Sequence, residues 1–356
     1  MSILIIAEAG VNHNGSKDLA FRLIEEAKLA GADIVKFQTF KTEQVVSKTI
    51  DQTKYQIDNL GLKDNQFNML KQLELDIQTH FELQKHCNQV GIEFLSTAFD
   101  FESLNFLVKD LELKRLKIPS GELTNLPLLL EYATSGCDLI LSTGMATLGE
   151  IENALGVLAF GLLGGSSPSL SAFSNAYSSK EGQKLLKEHV KLLHCTTEYP
   201  APIREINLNA MSTLSSTFDL QVGYSDHSKG IVIPIAAAAL GASIIEKHFT
   251  LDKTLHGPDH KVSLEPIELK KMVDGIRCVE ICLGSSIKAP QTSEIKNKLL
   301  TRKKLVANKN LIKGHQLVKE DIAILRTKHG NDPSDYWDLV GKILITDVKK
   351  GEVFNV

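Results

Sequence analysis

The stretch Ile3-Leu4-Ile5-Ile6-Ala7-Glu8-Ala9-Gly10 decides the fold of this chain. It is almost continuously apolar and carries a carboxylate near its end. A run of this kind is too apolar for a strand with one face in water, so it reads as a parallel strand covered on both faces. Seven later runs repeat it: Ile34–Thr39, Glu93–Phe99, Arg115–Ser120, Leu139–Gly144, Val190–Thr196, Leu220–Asp226 and Ala242–Thr250. Helical periodicity fills the intervals. Lys17–Ala30 places apolar residues at 20, 23, 24 and 27 ahead of Gly31, a natural helix terminator. Similar patterns occupy Gln78–Val90, Phe101–Asp110, Thr147–Leu163, Gly230–Leu240 and Pro266–Leu283. Eight strand-then-helix units predict an α/β chain folded as a (β/α)8 TIM barrel, with its chemistry at the C-terminal ends of the strands. A doubly wound sheet is the competing architecture, but Asn12-His13-Asn14-Gly15 is not its glycine-rich phosphate loop.

The chain has 356 residues, 43% hydrophobic and 23% charged, which suits one barrel of about 250 residues plus a small domain. The expected division is a catalytic barrel over 1–284, a linker over 285–300 and a small, mostly β domain over 301–356. A domain of about 55 residues is marginal by itself. Within it, Leu311-Ile312-Lys313-Gly314 is echoed by Val348-Lys349-Lys350-Gly351. Two stretches break the barrel rhythm. Lys41–Leu75 reads as a long polar loop with some helix at the catalytic face, and Gly161–Ser179 as a flexible Gly/Ser-rich insertion. A net charge of −3 offers no field for nucleic acid or an anionic membrane, so an anionic substrate must be held by local cations. Ile231–Leu240 is too short to cross a bilayer, and no basic leader follows Met1, so a cytoplasmic location is expected. The five cysteines form no paired framework, and the four-residue spacing of Cys278 and Cys282 fits helix packing.

The strand ends carry the chemistry. Residues two apart in a strand share a face, so Glu246 and His248 point the same way. On adjacent parallel strands His227 and His248 can reach one Mn²⁺, Zn²⁺ or Fe²⁺ ion, with positions left open for substrate. Core packing is the competing reading of either histidine alone. Lys36 and Lys117 sit inside apolar runs, where an unpaired ammonium is costly. With hydroxyls at Thr97, Ser120, Ser142 and Thr143 they form a candidate phosphate or carboxylate site. A Schiff-base lysine is the rival assignment. Glu8 and Glu122 are candidates for acid–base work or sugar hydroxyls, or alternatively ion-pair partners of the lysines. Asp259 follows the last strand, where it could bind hydroxyls or simply make a turn.

Taken in order, these residues resemble the sialic acid synthase family, also called the N-acetylneuraminate synthase family. The matching stretches are Ala7–Gly15, Val35–Thr39, Lys117–Glu122, Leu141–Met145, Gly223–His227, Glu246–Thr250 and Gly257–Asp259. The resemblance runs to the C-terminus, where the tail is similar to the family's antifreeze-like (SAF) domain. It implies a transferase that condenses phosphoenolpyruvate with an N-acylated mannosamine-type sugar, giving a nine-carbon 2-keto acid and phosphate. It further implies a divalent cation, commonly Mn²⁺ with Mg²⁺ or Co²⁺ as alternatives, on His227 and His248.

By the same resemblance Lys36, Thr97, Lys117, Ser120, Ser142 and Ser225 hold phosphoenolpyruvate. Glu8, Gln38, Glu122, Tyr199 and Asp259 line the sugar site, with Glu8, Lys36, Lys117 and Glu122 as the catalytic group. Members are domain-swapped homodimers in which an arginine, matched by Arg326, reaches the partner's sugar pocket. That arginine usually precedes Pro-Gly, whereas Thr327-Lys328-His329-Gly330 follows Arg326 here. After His194-Cys195-Thr196 the chain reads Thr197-Glu198-Tyr199-Pro200 where N-acetylneuraminate synthases carry Asn-Ile-Tyr-Pro. This variant resembles the bacterial N,N'-diacetyllegionaminate synthases, which use a 2,4-diacetamido-6-deoxy sugar. The alternatives are an N-acetylneuraminate synthase, a Schiff-base aldolase and a non-catalytic sugar-binding barrel.

Overall fold

In a computed structural model, which describes residues 2–54, 56, 57 and 65–356, eight parallel strands close into a barrel in sequence order. The strands are β1 (Leu4–Gly10), β2 (Ile34–Thr39), β3 (Glu93–Ala98), β4 (Arg115–Ile118), β5 (Asp138–Ser142), β6 (Val190–Cys195), β7 (Gln221–Asp226) and β8 (Ile244–His248). β8 closes on β1, with Ile6 opposite Glu246 and Glu8 opposite His248. The expected barrel is present, and each apolar run matches its strand to within two residues at either end.

Helices cover the outer faces. Lys17–Ala30 is capped by the Ser16 side chain and ends on Gly31 in the left-handed conformation, φ +88°. Phe101–Asn105 continues as a π-helical turn over Phe106–Asp110. Gly161–Ser179 is not a structureless insertion: Leu148–Leu162 runs into it, and Leu170–Ser178 forms a further helix capped by Ser169. Small residues here serve close packing, since a Cβ on Gly156 would lie 3.0 Å from the Phe173 carbonyl. Part of Lys41–Leu75 is helical, over Thr42–Val45 and Gln66–Leu73, while 58–64 lies outside the described residues. No helix among the described residues is long and apolar enough to cross a membrane.

Two hydrophobic systems make the barrel. The larger lies between sheet and helices. The smaller fills the lumen with Ile6, Ile34, Leu95, Ile140, Leu193 and Ile244, all buried. Each of these six is followed two residues later by a residue that faces the same way: Glu8, Lys36, Thr97, Ser142, Cys195 and Glu246. The aliphatic ring is therefore the dry floor of a polar chamber.

Contacts divide the chain into two compact units, Met1–Gly284 and Ser285–Val356. The second has its own core around Leu305, Leu311, Leu317, Leu344 and Phe354. β9 (Lys303–Ala307) and β10 (Ile322–Arg326) pair antiparallel, ending with Arg326 opposite Lys303. The sequence echo has a structural counterpart: Leu311 and Val348 exchange both backbone hydrogen bonds at 2.8 and 2.9 Å. Gly314 and Gly351 close the two segments with matching positive φ, +85° and +88°. The stretch expected to be linker contains a helix, Thr292–Thr301.

Gly223 shows how tightly the lumen is filled, because a Cβ there would fall 2.5 Å from the Ile244 carbonyl oxygen and 2.7 Å from Leu193 Cδ2. Gly223→Ala should therefore cost about 1–3 kcal/mol, measured as a lower urea midpoint. Gly149, in a helix with open space around it, provides the contrast. Gly149→Ala should leave the midpoint unchanged or raise it.

Candidate active site

Strand alternation places two lysines and two glutamates in the chamber. Lys36 Nζ lies 2.7 Å from Glu8 Oε2 and 3.5 Å from Glu246 Oε2. Lys117 Nζ lies 3.2 Å from Glu246 Oε1, which also accepts a 2.8 Å hydrogen bond from Ser225 Oγ. Thr97 Oγ1 accepts from Lys36 at 3.3 Å, and Gln38 Nε2 donates to Glu8 Oε1 at 3.3 Å. All four charged groups are buried.

Burial favours the neutral form of a charged group, but for Lys36 and Glu246 the neighbouring charges decide otherwise. Burial lowers the Lys36 pKa, yet Glu246 and Glu8 outweigh it and hold the ammonium charged, above its ordinary value. Burial raises Glu246, but Lys117 and Lys36 hold it well below the usual carboxylate range. For Glu8 burial prevails, and its carboxyl is pushed up. The chamber thus holds a firm carboxylate, a firm ammonium and a carboxyl able to keep a proton.

Beside this cluster the ends of β7 and β8 bring two imidazoles together, with His227 and His248 at a ring-centroid distance of 5.5 Å. His227 Nδ1 donates to the Thr196 carbonyl at 2.7 Å, which leaves Nε2 as the free lone pair. Burial lowers the pKa of His227 to about 4 and that of His248 well below the ordinary value. His248 Nδ1 is buried without a hydrogen-bond partner, 3.8 Å from Asp259 Oδ2. Burial, then Glu8, pushes Asp259 up to about 7. Tyr199 stacks on His227 with centroids 4.1 Å apart and meets His248 edge-on at 5.6 Å. Neutral imidazoles with an unused nitrogen are what a divalent cation requires, so the pair fits one. Among the described residues no three His, Cys, Asp or Glu side chains converge on one point.

The structure thus brings Glu8, Lys36, Gln38, Thr97, Lys117 and Ser225 into one cluster, and His227, His248, Tyr199 and Asp259 into another. Ser142 Oγ is buried without a hydrogen-bond partner. Ser120 Oγ accepts from the Gly144 amide at 2.9 Å and touches Cys195 Sγ at 3.2 Å. Glu122 lies in the turn after β4, where its Oε2 accepts from Asn125 at 2.7 Å. Arg326 belongs to the second unit and is exposed at the end of β10.

Three other strand-end groups have structural partners. Thr143 Oγ1 donates to the Leu193 carbonyl at 2.9 Å, and His194 Nε2 donates to the Ile206 carbonyl at 2.7 Å. Asp226 faces away from His227 and pairs with Lys247 at 2.6 Å. The acid that does matter, Glu246, was absent from the expected site residues. Its alternation with His248, and two buried lysines in need of a counter-charge, were the signals for it.

A closed parallel barrel whose mouth joins buried ammoniums, neutral imidazoles and carboxyls is a candidate active site, with the charge to hold a small anion. The NeuB family model matches residues 23–288. The chain is 47% identical to the N,N'-diacetyllegionaminic acid synthase of Campylobacter jejuni over 99% of this chain and 98% of that one. It is 44% identical to the Legionella pneumophila enzyme of the same name, over 99% and 93%. A crystal structure of N-acetylneuraminic acid synthetase from Leptospira borgpetersenii superposes with a TM-score of 0.66 at 36% identity, over 83% of this chain and 90% of that one. The chain belongs to the NeuB family.

Glu246 neutralises two lysines, so Glu246→Gln leaves buried positive charge. In phosphate-free buffer it should cost about 3–5 kcal/mol of unfolding free energy. Inorganic phosphate should restore part of that loss and stabilise the parent less. Urea titrations with and without phosphate measure this, and an equal phosphate effect on both proteins contradicts it.

Proposed function

We propose that the chain is an N,N'-diacetyllegionaminate synthase, joining phosphoenolpyruvate to a 2,4-diacetamido-6-deoxymannose-type sugar. Membership of the NeuB family makes it a phosphoenolpyruvate-dependent synthase that forms a carbon–carbon bond to a nine-carbon keto acid. Identity of 47% and 44% to two legionaminic acid synthases along nearly the whole chain is the observation that carries the choice of sugar.

The chamber residues supply the roles. Lys36 and Lys117, with the hydroxyls of Thr97, Ser120, Ser142 and Ser225, hold the carboxylate and phosphate of phosphoenolpyruvate. Glu8, Gln38, Glu122, Tyr199 and Asp259 bind and orient the sugar. His227 and His248 would hold the cation, Mn²⁺ in this reading, whose chemistry would be Lewis-acid polarisation of the open-chain aldehyde. C3 of phosphoenolpyruvate bonds to C1 of the sugar, and the former aldehyde oxygen takes a proton. Glu8, whose carboxyl burial pushes up, is suited to exchange it. Positive character at C2 is met by water; one of its protons replaces the one given to the aldehyde oxygen, and the other leaves with phosphate as the C2–O bond breaks and C2 becomes the ketone. The aliphatic floor excludes bulk water from that centre.

Imine chemistry fits poorly. An imine former must be a neutral amine, whereas Glu246 and Glu8 hold Lys36 protonated. Arg326, from a partner's small domain, completes the sugar pocket in this reading as a clamp on an acyl oxygen, in a domain-swapped homodimer.

The sugar panel tests the reading. With Mn²⁺ and phosphoenolpyruvate, kcat/KM for the diacetamido sugar should exceed that for N-acetylmannosamine and its 6-phosphate by about ten-fold or more. Preference for N-acetylmannosamine would make the chain an N-acetylneuraminate synthase instead. Arg326→Ala should raise the KM for sugar by about ten-fold while the KM for phosphoenolpyruvate stays put. A parallel rise in both would remove Arg326 from the sugar pocket.

A further inference from the structure

We propose that the buried Asp226–Lys247 pair is a positioning clamp that keeps His227 and His248 at the spacing from which both reach one divalent cation. The proposal rests on the metal reading above. Asp226 and Lys247 are register partners on β7 and β8, and each immediately precedes one of the histidines. Their side chains leave the sheet on the face opposite to the chamber and meet at 2.6 Å with no solvent exposure.

The contacts go further than one ion pair. Lys247 also donates to the Ser228 carbonyl, and the Ser228 amide donates to Asp226 Oδ1 at 2.9 Å. The Tyr224 hydroxyl donates to the same oxygen at 3.1 Å. One ammonium therefore ties the chain down on both sides of His227, at residues 226 and 228, while its own residue is bonded directly to His248. β7 cannot slip against β8 without breaking these bonds.

Stability alone does not account for such a pair, because apolar residues of similar size in its place are often as stable or more so. What charge adds is a fixed register. Metal–ligand distances tolerate only tenths of an ångström, so register on this pair of strands is what a two-histidine site needs. Asp226 and Lys247 are thus positioning residues, acting through the ligands they precede.

The test reads Mn²⁺ affinity of the metal-free full chain, without phosphoenolpyruvate or sugar, by the paramagnetic signal of free Mn²⁺. Thermal unfolding of the same samples is followed in parallel. Asp226→Leu with Lys247→Met removes both charges and strands neither. This double variant should melt close to the parent but bind Mn²⁺ at least about ten-fold more weakly, the scale set by residues that support metal ligands. Tyr224→Phe deletes one hydrogen bond and keeps the pair. It should weaken Mn²⁺ by about two- to five-fold, and it decides the matter should the double variant not fold. Parental Mn²⁺ affinity in a folded double variant, or in Tyr224→Phe when that variant decides, overturns the clamp. His227→Ala separates the premise: Mn²⁺ binding unaffected by that change overturns the metal reading instead.

Discussion

Two ammonium groups inside an apolar barrel are the constraint on which the rest of the structure depends. Lys36 and Lys117 stand just above the aliphatic ring, where an unpaired charge would cost many kcal/mol in a medium of low polarity. Glu246 answers both of them and Glu8 answers one. This four-membered arrangement fixes β1, β2, β4 and β8 relative to each other. It also sets the chemistry, since the cluster keeps one carboxylate ionised and one carboxyl raised. In so apolar a surround, electrostatic contacts are stronger than in water.

The same period-two rule that fills the chamber also organises its outside. β7 and β8 present Ser225, Glu246 and His248 to the lumen and Asp226 and Lys247 to the helix layer. His227, just past the end of β7, meets His248 at the mouth. A two-residue strand end thus puts an imidazole on one face and a buried ion pair on the other. The second unit is organised differently: its core is assembled from short paired segments such as Leu311 with Val348, each closed by a glycine at positive φ.

Much of this was legible in the sequence because buried parallel strands leave unbroken apolar runs, and the polar interruptions in those runs are costly unless used. Lys36 in Ile34–Thr39 and Glu8 in Leu4–Gly10 are such interruptions. Facing was harder. Asp226 reads like a companion of His227, yet one step along a strand reverses direction, and a buried lysine on the next strand claims it. Glu246 was visible as a chamber residue through its two-residue step from His248 and through the two buried lysines that need a counter-charge. Gly161–Ser179 misled because small residues that permit close helix packing have the composition of a flexible loop. Contacts such as Tyr199 on His227 join residues far apart in the chain, and no local pattern announces them.

The central claim is that the chamber lysines bind an anion by charge and form no covalent bond to substrate. Borohydride reduction of the enzyme in the presence of pyruvate or of phosphoenolpyruvate and sugar, followed by intact-mass analysis, tests it directly. The protein mass should stay unchanged, and phosphate release should require both sugar and a divalent metal. A mass increase localised to Lys36 or Lys117, or phosphate release indifferent to sugar and chelator, would contradict it.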